Sequence, residues 1–173
     1  DSLLREMEQV NVFSAVHEQT LVVGTKGQIS DLNWLDLDKN KLLRIPDSVV
    51  RQITVHKNRQ AYLDWMRENG ADVLPELALG GLTGFELKAI QLANEQWETL
   101  SADALLLALE NREKVPADPK IDWASVTPLH GDEKKTTTYG FRTREGGVGL
   151  LQITDMSADK PPFYVKIRYK MIE

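Results

Sequence analysis

The C-terminal part of the chain, residues 136–171, has the sequence TTTYGFRTREGGVGLLQITDMSADKPPFYVKIRYKM. In its last segment, FYVKIRYKM, apolar residues alternate with polar or basic ones, and this period of two predicts a strand with one buried face and one solvated face. Turns at 144–147 and 157–162 separate that segment from two earlier ones at 137–143 and 148–154. The pattern therefore predicts a three-stranded antiparallel meander.

A second β region is predicted at residues 19–46. Residues 21–23 form a compact run of Leu-Val-Val, and a hairpin pattern follows in which residues 32–37 and 42–45 flank the polar turn 38–41. Aspartate and asparagine suit such a turn because their side chains bond to nearby backbone and tolerate left-handed conformations.

Two internal helices have clear start and stop residues. Asn58 is a suitable N-cap for a helix that contains Tyr62 and Trp65, and Gly70 lies where a left-handed residue ends such a helix. Ser101 is the predicted N-cap of a second helix that extends to about residue 112. A further amphipathic helix is predicted at residues 2–16.

The region between these helices is less regular. Residues 85–89 alternate in polarity and follow Gly80, Gly81 and Gly84, so we predict a strand there, although Leu87, Ile90 and Asn94 also fit a helix. The proline-containing stretch 113–135 is predicted to be an exposed connector.

These elements indicate an α+β fold, with an antiparallel sheet that ends in the C-terminal three-stranded meander and two or three helices packed on one face. The length of 173 residues suits one domain of this kind. We predict an N-terminal helical segment at 1–18 and a single α+β domain at 19–173.

Composition excludes several classes of function. The chain has no cysteine, so disulfides, thiolate metal sites and thiol nucleophiles are excluded. Its formal net charge of -5 disfavours a nucleic-acid partner, because such proteins usually carry a basic face. No window of about 18 apolar residues predicts a transmembrane segment. The first residue, Asp1, suggests a mature form or an excised piece of a longer protein.

Metal-binding motifs are weak. His17, His56 and His130 are scattered, with no His-Glu-x-x-His run. Residues 36–40, DLDKN, resemble the first half of a calcium loop, but Lys41 replaces the required glycine and a bidentate glutamate is absent. A hairpin therefore explains this segment better, and we predict no metal site and no cofactor.

Catalytic and ligand motifs are also weak. The sequence has no Gly-x-Ser-x-Gly elbow. The glycine-rich segments 80–84 and 144–149 do not continue as phosphate loops, and hairpin turns explain them better. The four tryptophans could form a carbohydrate platform, but single tryptophans of amphipathic elements more often lie in the core or at its edge. The four are Trp34, Trp65, Trp97 and Trp123. We therefore predict no catalytic residue.

One candidate binding surface remains, a basic strip on the C-terminal strands. Its members would face an anionic ligand or a protein partner; the alternative is a solvated strand face with edge-protecting lysines. The strip consists of Arg142, Arg144, Lys166, Arg168 and Lys170.

The same C-terminal region carries a family resemblance. Residues 135–153, KTTTYGFRTREGGVGLLQI, closed by VKIRYK at 165–170, resemble a terminal module of uncharacterised planctomycete-type bacterial proteins. The module is similar to a tail on some large membrane-anchored proteins that resemble antirepressor-type metallopeptidases, and on some sigma-factor-like chains. The WLDLD hairpin and the helix around residues 62–65 also resemble the region before that tail. The resemblance implies no activity, and it implies an extracytoplasmic or membrane-proximal setting in a bacterium, with a cytoplasmic one as the alternative.

These observations favour a non-catalytic ligand- or protein-binding accessory domain of a larger bacterial envelope or regulatory protein. One alternative is a hydrolase-type enzyme in which dispersed carboxylates or histidines converge in space. The other is a structural spacer. An enclosed cleft with converging titratable groups would favour the enzyme. An open groove or an apolar patch would favour the binding module, and a surface with neither feature would favour the spacer.

Overall fold

The computed structural model describes residues 11–23, 33–76, 80–113 and 126–173. Within them the chain forms two antiparallel sheets of five strands each and four helices, so the predicted α+β fold is confirmed. The elements in chain order are β1 His17–Val22, β2 Asn33–Asp36, β3 Lys41–Arg44, α1 Asp47–Thr54, α2 Arg59–Asn69, β4 Val73–Glu76, β5 Gly81–Phe85, β6 Lys88–Leu92, α3 Gln96–Thr99, α4 Ala102–Glu113, β7 Val126–His130, β8 Thr137–Arg142, β9 Val148–Ser157 and β10 Tyr164–Met171.

The first sheet contains the predicted meander and has the strand order β1-β10-β9-β8-β6. Tyr139, Leu151 and Tyr169 lie opposite one another on neighbouring strands, which confirms the predicted pairing of the three C-terminal segments. The register shifts once, between Lys166 and Ile167. Strand β1 then adds to β10 as an antiparallel edge strand.

The second sheet has the order β3-β2-β4-β5-β7. Its β2–β3 hairpin confirms the hairpin predicted from residues 32–45, with Asn33 opposite Arg44 and Asp36 opposite Lys41. The hairpin interpretation of the DLDKN segment is therefore correct.

The two sheets pack face to face. A central core joins inward residues such as Leu35 and Leu82 of the second sheet to Phe141 and Ile167 of the first. Helices α1 and α2 cover the outer face of the second sheet, and α3 and α4 cover the outer face of the first. Each sheet thus has helices on one face, as predicted, and the sequence did not indicate that there are two such sheets.

The helix-capping residues predicted from the sequence are confirmed. The Asn58 side chain accepts a hydrogen bond from the Ala61 amide, and Gly70 ends α2 at a φ of 73°. Ser101 Oγ accepts a bond of 3.1 Å from the Ala104 amide at the start of α4. Helix α1 was not predicted; it has eight residues and none of them is buried, although Val49 and Val50 pack against the core beneath it.

The predicted strand at 85–89 spans the junction of two strands. Phe85 ends β5, Glu86 adopts a φ of 50°, and Lys88 begins β6. The glycines taken as breakers, Gly81 and Gly84, lie inside β5, so the turn interpretation of the segment 80–84 was wrong for them. A Cβ atom at Gly81 would collide with the Leu129 carbonyl oxygen, and glycine therefore permits the close approach of β7.

Strand β7 and the N-terminal segment differ from the predictions made for them. Strand β7 lies within the predicted exposed connector, with Leu129 buried and Pro128 on the edge strand, where proline is tolerated. Of the predicted helix at 2–16, residues 1–10 lie outside the described residues. Residues 11–16 are not helical, because Phe13 pairs with Ile172 beside the first sheet. In the described parts of the chain, no helix is long and apolar enough to cross a membrane.

Candidate functional site

A pocket of about 260 Å³ lies between α2 and the outer face of the second sheet. The sheet contributes alternate residues of its strands, and the helix contributes residues that face the sheet. The apolar walls are formed by Trp34, Leu63, Met66, Leu74, Phe85 and Val126.

Local sequence explains why these residues meet. Leu74 on β4 lies directly opposite Thr83 on β5, and both point to the helix-covered face because residues in register share a face. Phe85 lies two residues beyond Thr83 and therefore shares that face. The ring of Trp34 meets that of Phe85 edge to face, with centroids 6.3 Å apart.

Thr83 is the most unusual polar residue of the lining. Only 8% of its surface is exposed, and its Oγ1 has no hydrogen-bond partner in the described part of the protein. A buried hydroxyl without a partner costs about 1–3 kcal/mol of stability. A ligand that bonded to this hydroxyl would recover part of that cost.

Tyr62 places a second hydroxyl at the pocket. Its Oη accepts a hydrogen bond of 2.9 Å from Trp34 Nε1, which leaves the hydroxyl proton available for donation. Burial raises the pKa of Tyr62 to about 12, so the hydroxyl stays protonated at neutral pH. Exposed Arg59 and half-buried Glu76 complete the lining with one charge of each sign.

A separate acidic cluster is formed by Asp36, Asp38 and Asp72. One carboxylate oxygen from each lies within 4.8 Å of the other two. Asp36 and Asp72 are buried, whereas Asp38 is exposed. Among the described residues this is the one group with the proximity and donor set of a metal site.

Three chain segments bring the cluster together. Asp36 ends β2 and Asp38 lies in the following turn, whereas Asp72 lies between α2 and β4. Asp72 Oδ2 accepts a hydrogen bond of 2.7 Å from the Leu37 amide. Asp38 Oδ1 accepts one of 3.1 Å from the Thr143 hydroxyl, which belongs to the turn between β8 and β9. The cluster therefore bridges the two sheets.

The electrostatics of the cluster are unfavourable for three negative charges. Burial, joined by the negative charges of Asp38, Glu145 and Asp36, raises the pKa of Asp72 to about 8, although the hydrogen bond from the Leu37 amide opposes the change. Burial also raises the pKa of Asp38, although the Thr143 hydrogen bond opposes the change. No sequence pattern linked Asp72 to the DLDKN turn, because the two meet only through the fold.

The structure does not bring the five residues of the predicted basic strip together. The guanidinium of Arg168 lies 4.4 Å from the Trp97 ring centroid and donates to Gln152 Oε1 at 2.7 Å. Lys170 Nζ donates to the Trp97 carbonyl at 2.8 Å, and burial lowers the pKa of Lys170. These two side chains therefore pack against α3, whereas Lys166 is exposed.

The remaining two residues of the strip lie elsewhere. Arg144 forms ion pairs with Glu86 at 3.1 Å and with Glu145 at 2.7 Å, and it donates to the Arg67 carbonyl near the end of α2. Arg142 lies opposite Lys88 in the pairing of β8 with β6. Arg144 is therefore engaged by carboxylates near the end of α2, and the anion-binding role of the five residues stays a prediction.

The other candidate residues are also dispersed. His17 packs on Tyr169 with ring centroids 5.2 Å apart, His56 follows α1, and His130 ends β7. Within the described ranges, no histidine joins the carboxylates in a metal-type group. Trp34 and Trp97 are buried under different sheets, as expected of core residues, and Trp123 lies outside the described residues.

Comparisons with known proteins add no relative. No family model matches the chain, and no curated protein or solved structure matches it significantly. The resemblance of the C-terminal segment therefore stays a prediction.

Proposed function

We propose that this chain is a non-catalytic binding module that takes a compact apolar group with a hydrogen-bond acceptor into the pocket between α2 and the second sheet. The observation that carries the proposal is the buried, unpartnered hydroxyl of Thr83 among apolar walls. A site of this composition, mostly apolar with a few polar groups, is typical of ligand recognition.

The size of the pocket limits its occupant. Small-molecule sites usually enclose about 300–1,000 Å³, so a pocket of about 260 Å³ suits one aromatic ring or one branched side chain rather than a large cofactor. Apolar contact with Leu63, Leu74 and Phe85 would supply most of the binding free energy.

The two hydroxyls set the polar requirement. Thr83 and Tyr62 both offer an O–H to the pocket, so a ligand carbonyl would meet two donors. A carbonyl is a natural match because it has two lone pairs. An apolar side chain of a partner protein, together with its adjoining backbone carbonyl, has this chemistry, and so does a small aromatic amide.

The pocket is better suited to binding than to catalysis. Protonated Tyr62 is a hydrogen-bond donor and not a base at neutral pH. The described lining also contains no histidine that could shuttle a proton. We propose further that the module serves a larger bacterial envelope or regulatory protein, with the C-terminal resemblance as the only support for that setting.

The test uses benzamide and N-acetyl-phenylalaninamide as probes in two-dimensional NMR of the purified chain. We expect shifts of the Trp34 indole signal and of the Thr83 amide on titration with either probe. Thr83→Val keeps the side-chain shape and should weaken binding about tenfold, because one hydrogen bond is lost.

A matched control is Thr20→Val, which removes the hydroxyl of an exposed threonine on β1, a strand of the first sheet, whereas the pocket lies on the second sheet. It should leave the affinity of both probes unchanged. The absence of any shift at Trp34 and Thr83 at millimolar probe would overturn the proposal, as would equal affinity of Thr83→Val and the unmodified chain.

A further inference from the structure

Among the described residues, the charges that act on Asp72 and Asp38 in the acidic cluster are negative. Three carboxylates lie within 4.8 Å of one another, and the charges that act on Asp72 are those of Asp38, Glu145 and Asp36, all of which are negative. Like charges at this separation repel, and the repulsion is stronger where burial removes water. Either a proton on Asp72 or a bound cation would relieve this repulsion.

Asp72 provides an independent observation. Its side chain is fully buried, and although Oδ2 accepts from the Leu37 amide, Oδ1 has no partner in the described part of the chain. Buried carboxylate oxygens are almost always paired or bound to a metal. The open position on Oδ1 is therefore a place for a ligand of the carboxylate.

Two glycines let the carboxylates come so close to the backbone. A Cβ atom at Gly70 would lie 2.8 Å from Asp36 Oδ2, and one at Gly147 would collide with Asp38 Oδ1. Gly70 belongs to the end of α2 and Gly147 to the β8–β9 turn. Both sides of the cluster are thus lined by bare backbone that any larger residue would fill.

We propose that Asp36, Asp38 and Asp72 together bind one hard divalent cation, Ca²⁺ or Mg²⁺, through a carboxylate oxygen from each residue. The proposal does not rest on the function of the pocket. All the donors are oxygen atoms, which selects these cations over zinc or copper, whose sites favour nitrogen or sulfur.

The two cations would use the site differently. Calcium takes six to eight oxygen ligands in flexible geometry, whereas magnesium takes six in a strict octahedron and keeps several waters. The Thr143 hydroxyl, which donates to Asp38 Oδ1, is an additional oxygen beside the cluster. The charge of Glu145 also acts on Asp38, but its Oε1 is ion-paired with Arg144. Exposed Asp38 is the side from which a cation and its waters would enter.

Cation binding would fasten three segments at one point. The β2–β3 turn supplies Asp36 and Asp38, the link from α2 to β4 supplies Asp72, and the β8–β9 turn holds Asp38 through Thr143. The first and second sheets would therefore be joined at this end by the cation as well as by the central core.

The test begins with the full chain stripped by EDTA and dialysed at constant ionic strength. Titration with CaCl₂ or MgCl₂ alone, followed by calorimetry, should show one site per chain, and the midpoint of thermal unfolding should rise with the concentration of the preferred cation. NaCl at matched ionic strength should give neither effect.

Variants connect binding to the cluster. Asp72→Asn and Asp38→Asn should each lower the affinity by about tenfold or more, because ligand charge sets affinity at such sites. Asp38 is exposed, so its variant tests the site even if Asp72→Asn does not fold. Asp159→Asn, at an exposed aspartate of the β9–β10 turn, should bind as the unmodified chain does.

Two results would overturn the proposal. One is the absence of binding heat and of a thermal shift with either cation at 10 mM. That concentration is roughly ten times the dissociation constant of the weakest extracellular calcium sites. The other is cation binding that Asp38→Asn and Asp72→Asn leave unchanged. Either would mean that a proton on Asp72, rather than a metal, relieves the charge of the cluster.

Discussion

The pocket and the acidic cluster both border α2, and each contains a buried oxygen that has no hydrogen-bond partner among the described residues. In the pocket it is the neutral hydroxyl of Thr83 among apolar walls. In the cluster it is a carboxylate oxygen of Asp72 among other carboxylates. A neutral donor needs only one hydrogen bond, whereas a buried charge needs a counter-charge or a proton. A buried oxygen without a hydrogen bond therefore predicts a neutral acceptor as the ligand of the pocket and a cation as the ligand of the cluster.

The largest expected effect is a fall in stability with rising pH when EDTA is present. The pKa of Asp72 is about 8 in the folded chain against an ordinary value of 3.8. As the pH rises above 4, the unfolded chain releases this proton while the folded chain keeps it, so the free energy of unfolding falls until about pH 8. Each pKa unit corresponds to about 1.4 kcal/mol, so we expect a loss on the order of 6 kcal/mol, measured by urea unfolding at several pH values.

The control for this titration is Asp72→Asn, which should flatten most of the pH dependence. Asp36, Asp38 and Glu145 act on the same group, so a smaller residual slope is expected from them. A chain whose stability rises steadily from pH 4 to pH 8 in EDTA would contradict the buried, protonated state of Asp72.

An intermediate effect is expected from Gly147→Ala. The new methyl group would collide with Asp38 Oδ1, and overpacking of this kind costs about 1–3 kcal/mol. Gly146→Ala is the matched control, because its Cβ meets nothing within 4 Å and only the positive φ of 94° opposes it, at about 1 kcal/mol. Chemical unfolding of the two variants should therefore rank Gly147→Ala as the less stable, and only Gly147→Ala should weaken cation binding.

The smallest effect, and the one of opposite sign, is expected at the pocket. Thr83→Val removes a buried hydroxyl that has no partner and should stabilise the unliganded chain by about 1 kcal/mol. Thr138→Val is the contrast, because the Thr138 hydroxyl donates to Asn94 Oδ1 and accepts from Gln152 Nε2. That variant should be destabilised by about 1–3 kcal/mol in the same unfolding experiment. Destabilisation of both variants alike would show that Thr83 already has a partner.

The sequence predicted the first sheet better than the second for a physical reason. Strand β10 exposes or half-exposes alternate residues, and this alternation is visible in the sequence. Strand β5 is buried at every position and contains two glycines, so it shows neither alternation nor a β-branched run. A fully buried strand of this kind is recognised in the structure from its pairing with neighbouring strands, and that pairing is not visible in the local sequence.

The sites were harder to predict than the strands. In the sequence, Asp36 and Asp38 resemble part of a calcium loop. Asp72 is distant from them in the sequence and meets them only because it lies in the link between α2 and β4. The lysines and arginine of β10 in the basic strip were predicted from alternation, whereas Arg144 was placed beside them from a predicted turn; that turn after β8 brings the Arg144 side chain to Glu86. Long-range convergence leaves no local spacing to detect.

Pro128 on β7 has a consequence for how copies of the chain meet one another. The outermost strand of the second sheet would otherwise offer a regular row of amide donors to a strand from a neighbouring molecule. Proline interrupts that row and places a rigid ring at the edge. This margin of the sandwich is therefore protected against intermolecular strand addition, the first step of β-aggregation.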